Sequence, residues 1–237
     1  MHNSKISEPS CPSCLIKSIS FFHELSNGDL AELNKNKICT FYKKGQTVFY
    51  DGRIPTGLYC LEQGKIKIFK VGIDGKEQIV RLATSGSLFG VRALVSGRHY
   101  HASAATLEDS VICFVSKSYF FYLLKKYPLL FDEIMLYLCS LLEEAEDKII
   151  SIAQKPVRER LAETLLNLNT IFSSSGKAYL NYKISIPRED MANIVGTATE
   201  TVIRLLSEFK EEQLIKIKGR AITLTNIEGL KQTARIY

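Results

Sequence analysis

The chain has 237 residues, 46% of them hydrophobic and 24% charged, with a formal net charge of +6. This is the composition of a folded globular protein, which excludes disorder and collagen-like repeats, and the length suits one large domain or two smaller ones. No run of eighteen apolar residues occurs and MHNSKISEPSCPSC at the N-terminus has no hydrophobic signal region, so the sequence reads as cytoplasmic, with no membrane partner. The charge is uneven. From Lys155 onward thirteen Lys or Arg stand against nine Asp or Glu, an excess compatible with nucleic acid. Cysteines at 11, 14, 39, 60, 113 and 139 are too scattered for a secreted disulfide scaffold. In a reducing compartment they are expected as thiols, metal ligands or cluster ligands.

Nine of the fourteen glycines fall between Gly45 and Gly97. The segments they separate are β-prone: Thr47–Tyr50, Leu58–Leu61, Lys65–Val71 and Glu77–Leu82, with Val111–Val115 beyond them. Short, evenly spaced strands with glycine turns predict a β-barrel or sandwich, and Asp74-Gly75 marks a hairpin. After Pro128 the pattern changes. Neither Gly nor Pro occurs from Asp132 to Ile152, and Ile134, Leu138, Leu141, Ala145, Ile149 and Ile152 form one helical stripe. Two partners fit that stripe equally well: the helix's own domain, or a twin helix in a dimer. Pro156 ends the helix and places a hinge at Gln154–Pro156. A further helix is expected over Val157–Phe172, and a linker with some strand over Lys177–Tyr182.

Residues 185–209, SIPREDMANIVGTATETVIRLLSEF, have the layout of a helix-turn-helix, with Pro187 at the start of the first helix and Gly196 in the turn. Val202, Leu205, Leu206 and Phe209 make a buried face at i, i+3, i+4 and i+7. Thr199, Glu200, Ile203, Arg204 and Ser207 occupy the opposite face. A recognition helix needs this division, because the apolar face anchors it while the other meets base edges. Arg204 has the donors for guanine and Glu200 the acceptor for cytosine. Taken singly, Glu200 reads equally as a capping-box partner of Thr197, and Arg204 as a solvated charge. Lys216, Lys218 and Arg220 flank a hairpin turn at Gly219, where they suit phosphate contacts by a wing.

With strands, long helix and helix-turn-helix in that order, the chain resembles the Crp/Fnr family of bacterial transcription regulators from about residue 20 to 230. The resemblance rests on KKGQTVFYDG (43–52), LYCLEQGKIKIF (58–69), GIDGKEQIV (72–80), SGSLFGVRAL (85–94), RLAETLLNL (160–168) and the helix-turn-helix. It implies an α+β chain: an N-terminal segment (1–20), a β-roll sensor domain of the cyclic-nucleotide-binding jelly-roll type (21–127), a dimerisation helix (128–154) and a winged helix-turn-helix (155–237). It implies a homodimer on palindromic double-stranded DNA, with RNA polymerase as a further partner. It also turns the stripe on 132–152 towards a dimer interface. In the family a glutamate and an arginine at the positions of Glu200 and Arg204 read a TGA/TCA core, and Arg188 matches a phosphate contact. Cyclic-AMP receptors carry another arginine where Thr199 stands, so a TTGA-like half-site is expected. Ile203 is placed to touch a thymine methyl.

The resemblance also frames the signal. Cyclic-AMP binders use Gly-Glu and Arg-Ser where this chain has Gly90-Val91 and Tyr100-His101, and Ala145 and Glu146 replace the adenine-contacting hydroxyl residues. Val91 accepts no ribose hydrogen bond and Tyr100 brings no fixed charge, which argues against ordinary cyclic-AMP binding. Arg92 and Arg98 are nearby cations for some other anion. The loop 90–113 looks more like the oxygen-sensing fumarate–nitrate branch, with Cys113 at a cluster-ligand position. Cys11 and Cys14 match two further ligands, but Ser20 stands where the third is expected. An iron–sulfur cluster normally takes four thiolates, so one ligand is missing, with Cys60 or a carboxylate as the substitute and zinc as the alternative metal. Cys39, Cys60 and Cys139 lie in apolar segments where core burial is the default. His99 and His101 flank Tyr100 as conceivable haem ligands. No GxSxG, HExxH or phosphate-loop motif supports an enzyme. The competing function is a ligand- or redox-binding sensor module that acts through protein contacts.

Overall fold

The computed structural model of the chain describes residues 25–173 and 182–236. The order of elements is helix α1 (Asn27–Asn36), strands β1 (Lys37–Tyr42), β2 (Thr47–Phe49), β3 (Gly57–Gln63), β4 (Lys65–Val71), β5 (Glu77–Thr84) and β6 (Leu88–Phe89), helix α2 (Val91–Ser96), strands β7 (Ser103–Thr106) and β8 (Ser110–Ser116), then helices α3 (Lys117–Lys126) and α4 (Pro128–Gln154). Helices α5 (Val157–Phe172), α6 (Arg188–Val195) and α7 (Thr199–Glu211), strands β9 (Ile215–Lys218) and β10 (Ala221–Leu224) and helix α8 (Ile227–Ala234) follow. The chain divides into two compact units. One runs to Lys70 and resumes over Val80–Leu142; the other takes Val71–Ile79 and continues from Glu143.

Two four-stranded sheets, ordered β1-β8-β3-β6 and β2-β7-β4-β5, build the roll. Successive side chains of a strand face opposite ways, so each strand of the first sheet feeds two cores. Leu58 and Cys60 of β3 and Cys113 and Val115 of β8 join Leu30, Leu33, Phe120, Leu123, Leu130 and Ile134 of the helices. Leu61 and Ile112 face the other way and pack with Phe49, Ile66, Ile68, Phe89, Tyr100 and Ala104. The predicted strands are all present. Asp74-Gly75 lies in the β4–β5 hairpin, where Gly72 N–H donates to the Lys76 carbonyl at 2.8 Å and closes a three-residue loop, Ile73–Gly75. Strands β1, β6 and β7 were not predicted: β1 is not bounded by glycines, and β7 is the small-residue stretch SAAT.

Helix α1 is tied to the end of α3 through one carboxylate. Ser26 caps α1 by accepting from the Asp29 N–H at 3.1 Å, and its hydroxyl donates to Asp29 Oδ2 at 2.6 Å. Lys126 Nζ and Tyr127 Oη also donate to Asp29. The Lys126 hydrogen bond, then those of Ser26 and Tyr127, hold the Asp29 carboxyl at about 2, below its ordinary 3.8, against the opposing effect of burial. A folded value below the unfolded one stabilises the fold above the unfolded pKa and loses that contribution as pH falls through the folded one. Asp29→Asn is therefore expected to unfold at lower urea than the parent near neutral pH. The gap should close as pH falls from about 4 towards 2, which urea titrations across that range measure.

Candidate nucleic-acid interface

The helix-turn-helix is built from α6 and α7. Pro187 caps α6 with extended backbone, one residue earlier than predicted, and its fixed φ suits the entry into Arg188. At the other end Gly196 takes φ +74°, and its N–H donates to the Ala192 carbonyl at 2.8 Å. That left-handed residue turns the chain, and a β-carbon there would be strained. Met191, Ala192 and Val195 of α6 and Val202, Leu205, Leu206 and Phe209 of α7 are buried. Leu161, Leu165, Ile184, Ile215 and Ile222 are buried in the same unit.

The opposite face of α7 is open. Glu200, Ile203, Arg204 and Ser207 are exposed and Thr199 is half-buried. The N-cap of α7 is Ala198, with no side-chain cap, so the capping-box reading of Thr197 and Glu200 is not realised and Glu200 stays on the open face. Arg204 is exposed, as a solvated charge would be, and forms an i,i+4 ion pair with Glu208. Glu208 in turn accepts from Arg158 Nη1 at 3.1 Å, while Arg158 Nη2 reaches both Glu212 oxygens at 2.6 Å and its guanidinium lies 4.8 Å from the Phe209 ring centre. This chain of charges holds the Arg204 guanidinium along the helix. The prediction missed Arg158 and Glu208, although Glu208 was visible as the i+4 partner.

The wing is the β9–β10 hairpin, in which Lys218 pairs with Ala221 across a turn where Gly219 has φ +59°. Lys216, Lys218 and Arg220 are all exposed. Ile184 adds a backbone bridge to Ile222, with hydrogen bonds of 2.8 and 2.9 Å. Arg188 donates to the Arg220 carbonyl at 3.3 Å, and burial pulls its pKa down from the ordinary value, yet an arginine stays charged. The structure thus brings Arg188, the wing cations and the open face of α7 into one unit.

The long helix corrects part of the predicted stripe. Ile134 is 1% exposed and lies in the helix-facing core of the roll, with Leu138 packed partly against it. Leu141 is half-buried, while Ala145, Ile149 and Ile152 are exposed. Met135, Leu142 and Ile149, seven apart, are exposed apolar residues, the last of them a member of the predicted stripe, and Cys139 is exposed between the first two. One periodic pattern serves two surfaces here, because the first turns are covered by the roll.

Comparison with known proteins agrees with this architecture. Residues 39–127 match the family described as Cyclic nucleotide-binding domain, and residues 159–233 match the Crp-like helix-turn-helix domain. The chain is 30% identical over 229 residues to the fumarate and nitrate reduction regulatory protein of Escherichia coli K12, covering 94% of this chain and 90% of that one. The chain belongs to the Crp/Fnr family of transcription regulators. The protein of the same description from Vibrio cholerae is 29% identical over 231 residues, covering 95% of this chain and 90% of its own. Among solved structures, FixK2 from Bradyrhizobium japonicum superposes with a TM-score of 0.74 at 22% identity, covering 83% of this chain and 96% of that one, a likeness of fold.

In this Crp/Fnr chain the six predicted effector residues differ in burial. Val91 and Tyr100 are buried and Gly90 lies beneath the Tyr100 ring, whereas Arg92, Arg98 and His101 are exposed, as is His99. Tyr100 stacks on Phe49 with centroids 3.9 Å apart, and Phe49, Tyr59 and Phe89 extend the stack through the roll. Burial pushes the Tyr100 phenol above its ordinary range, so it carries no charge to a phosphate or from one. The aromatic stack was missed because its rings come from four separate strands and loops.

The cluster reading is also corrected. Cys113 is joined to Cys39 by a disulfide, so its sulfur is no thiolate ligand. Cys39 and Cys113 sit directly opposite on β1 and β8, a pairing that spans 74 residues of sequence. Cys11, Cys14 and Ser20 lie outside the described residues, and among the described ones no three metal-ligating side chains come together. Cys60 is buried as expected; Cys139 is exposed, against expectation, because it faces away from the roll. On non-reducing peptide mapping, Cys39 and Cys113 should appear as one linked pair. Cys139 should alkylate in the folded protein and Cys60 only after unfolding. Reduction should lower stability by up to about 4.5 kcal/mol, the chain-entropy value for so long a loop.

Proposed function

We propose that this Crp/Fnr regulator is a homodimer that reads a TTGA-like palindrome and is controlled by a signal at the β-roll. The observation that carries the reading is the two-sided helix α7. Four apolar residues anchor it in the domain, and Glu200 and Arg204 stand one turn apart on the open face, with Ile203 and Ser207 beside them. Arginine donates two hydrogen bonds to guanine and glutamate accepts from cytosine, so these two side chains suit adjacent pairs of a TGA/TCA core. Arg188, Lys216, Lys218 and Arg220 supply phosphate contacts that set register. The seam of Met135, Leu142 and Ile149 supports pairing of α4 with its twin, which spaces two half-sites by about one DNA turn, roughly 34 Å. In this division the roll receives the signal, α4 pairs the subunits, and the segment from residue 155 binds DNA, with RNA polymerase as a further partner.

Binding to a TTGA palindrome is expected to exceed binding to scrambled DNA of equal length in a fluorescence-anisotropy titration. Arg204→Ala should cost about 1–3 kcal/mol and relax selection at the guanine. Lys216→Ala should weaken all sequences alike and reduce the salt slope by roughly 0.9. Equal affinity for palindrome and scrambled DNA would overturn the reading, and unchanged binding in both variants would favour a module that acts through protein contacts. Leu142→Glu together with Ile149→Glu should convert the dimer to monomer in sedimentation equilibrium. A short bis-maleimide should cross-link the parent through Cys139.

A further inference from the structure

Arg160, the fourth residue of α5, is 9% exposed, and every hydrogen bond of its side chain goes to a main-chain carbonyl. Its Nε donates to Val195 at 3.0 Å and Nη2 to Gly196 at 3.2 Å. On the other side Nη1 donates to Lys155 at 2.8 Å and to Ile152 at 3.3 Å. Val195 and Gly196 close the first helix of the helix-turn-helix, while Ile152 lies in the last turn of α4 and Lys155 directly follows it.

The last carbonyls of a helix have no partner within it and carry the negative end of its dipole. One guanidinium therefore satisfies two helix ends at once, with donors fixed in a plane. A planar group held on both sides leaves little freedom in the angle between the helices it joins. A second contact fixes rotation. Glu163, on the next turn of α5, accepts from Ser151 Oγ at 2.9 Å and from Lys155 Nζ at 3.1 Å.

We propose that Arg160 is a positioning residue that sets the direction of α7 relative to the end of α4, and thereby the half-site spacing that the dimer accepts. The proposal rests on the dimeric DNA-binding reading above. It gives Arg160 a role in specificity without any contact to DNA: each half-site is read by α7, and the distance between half-sites is read by the clamp.

The test uses the full chain with Arg160→Lys, Arg160→Met and Glu163→Gln. Circular dichroism and thermal melting establish that each variant folds. Affinity is then measured for a single half-site and for palindromes with the preferred spacing and with one or two base pairs added or removed. The parent should favour one spacing by roughly 100-fold, the gain from engaging both half-sites together. In Arg160→Lys and Arg160→Met, half-site affinity should stay within about threefold of the parent while the spacing preference shrinks to about threefold. Glu163→Gln keeps the four carbonyls satisfied and should flatten the preference in part, which tests the idea even where an Arg160 variant does not fold. Folded variants that keep the parent's spacing preference overturn the proposal alone. So does an equal loss on half-site and palindrome, the signature of a merely structural role. A parent with no spacing preference overturns the dimeric reading and the proposal together.

Discussion

The two-sided sheet β1-β8-β3-β6 organises the first unit. Its period-two alternation sends Leu58, Cys60, Cys113 and Val115 towards the helices and Leu61 and Ile112 towards the second sheet. One layer of backbone therefore supports two cores with different contents. The helix side holds α1, α3 and the first turns of α4, so the long helix is rooted in the roll by Leu130 and Ile134. The inner side is filled by stacked rings. Two features of the roll follow from this arrangement: the rings occupy its interior, and the cysteine row falls on the helix side, where Cys39 meets Cys113.

In the second unit the organising features are helix ends and charges. Gly196 gives the turn its left-handed residue, the apolar face of α7 fixes which side chains remain outside, and the Arg158–Glu208–Arg204 relay orients one of them. Long side chains on a helix surface lose entropy when a ligand immobilises them. An arginine already held along the helix by Glu208 has less to lose than a freely rotating one. The wing and Arg188 are joined through the Arg220 carbonyl, so the cations expected at phosphates are attached to the same rigid hairpin.

Much of this was legible in the sequence because it depends on local pattern. Glycine spacing marked the strands, the i, i+3, i+4, i+7 set marked α7, and Gly196 and Gly219 marked the turns. What was not legible depends on contacts between distant segments. Nothing local pairs Cys39 with Cys113, since that requires the register of β1 on β8. The stripe on α4 gave the correct period but the wrong face for Ile134, because periodicity says which residues share a side and not what covers it. From the sequence Tyr100 suggests only a failed phosphate ligand, because its stacking partner Phe49 comes from the distant β2. Arg160 opens the motif RLAETLLNL, but a side chain bonded to main-chain carbonyls leaves no complementary residue in the sequence to find.

The disulfide has a consequence for the rim of the roll. Strand β1 is the edge of its sheet, hydrogen-bonded on one side to β8. Edge strands fray first, since they detach by breaking one ladder, and a frayed strand offers its amides to other chains. A covalent bond from Cys39 at the middle of β1 to its neighbour divides the peeling unit into two short ends that cannot leave together. The rim of the sheet is thereby made to open with the interior, and its exchange with solvent follows the stability of the whole unit.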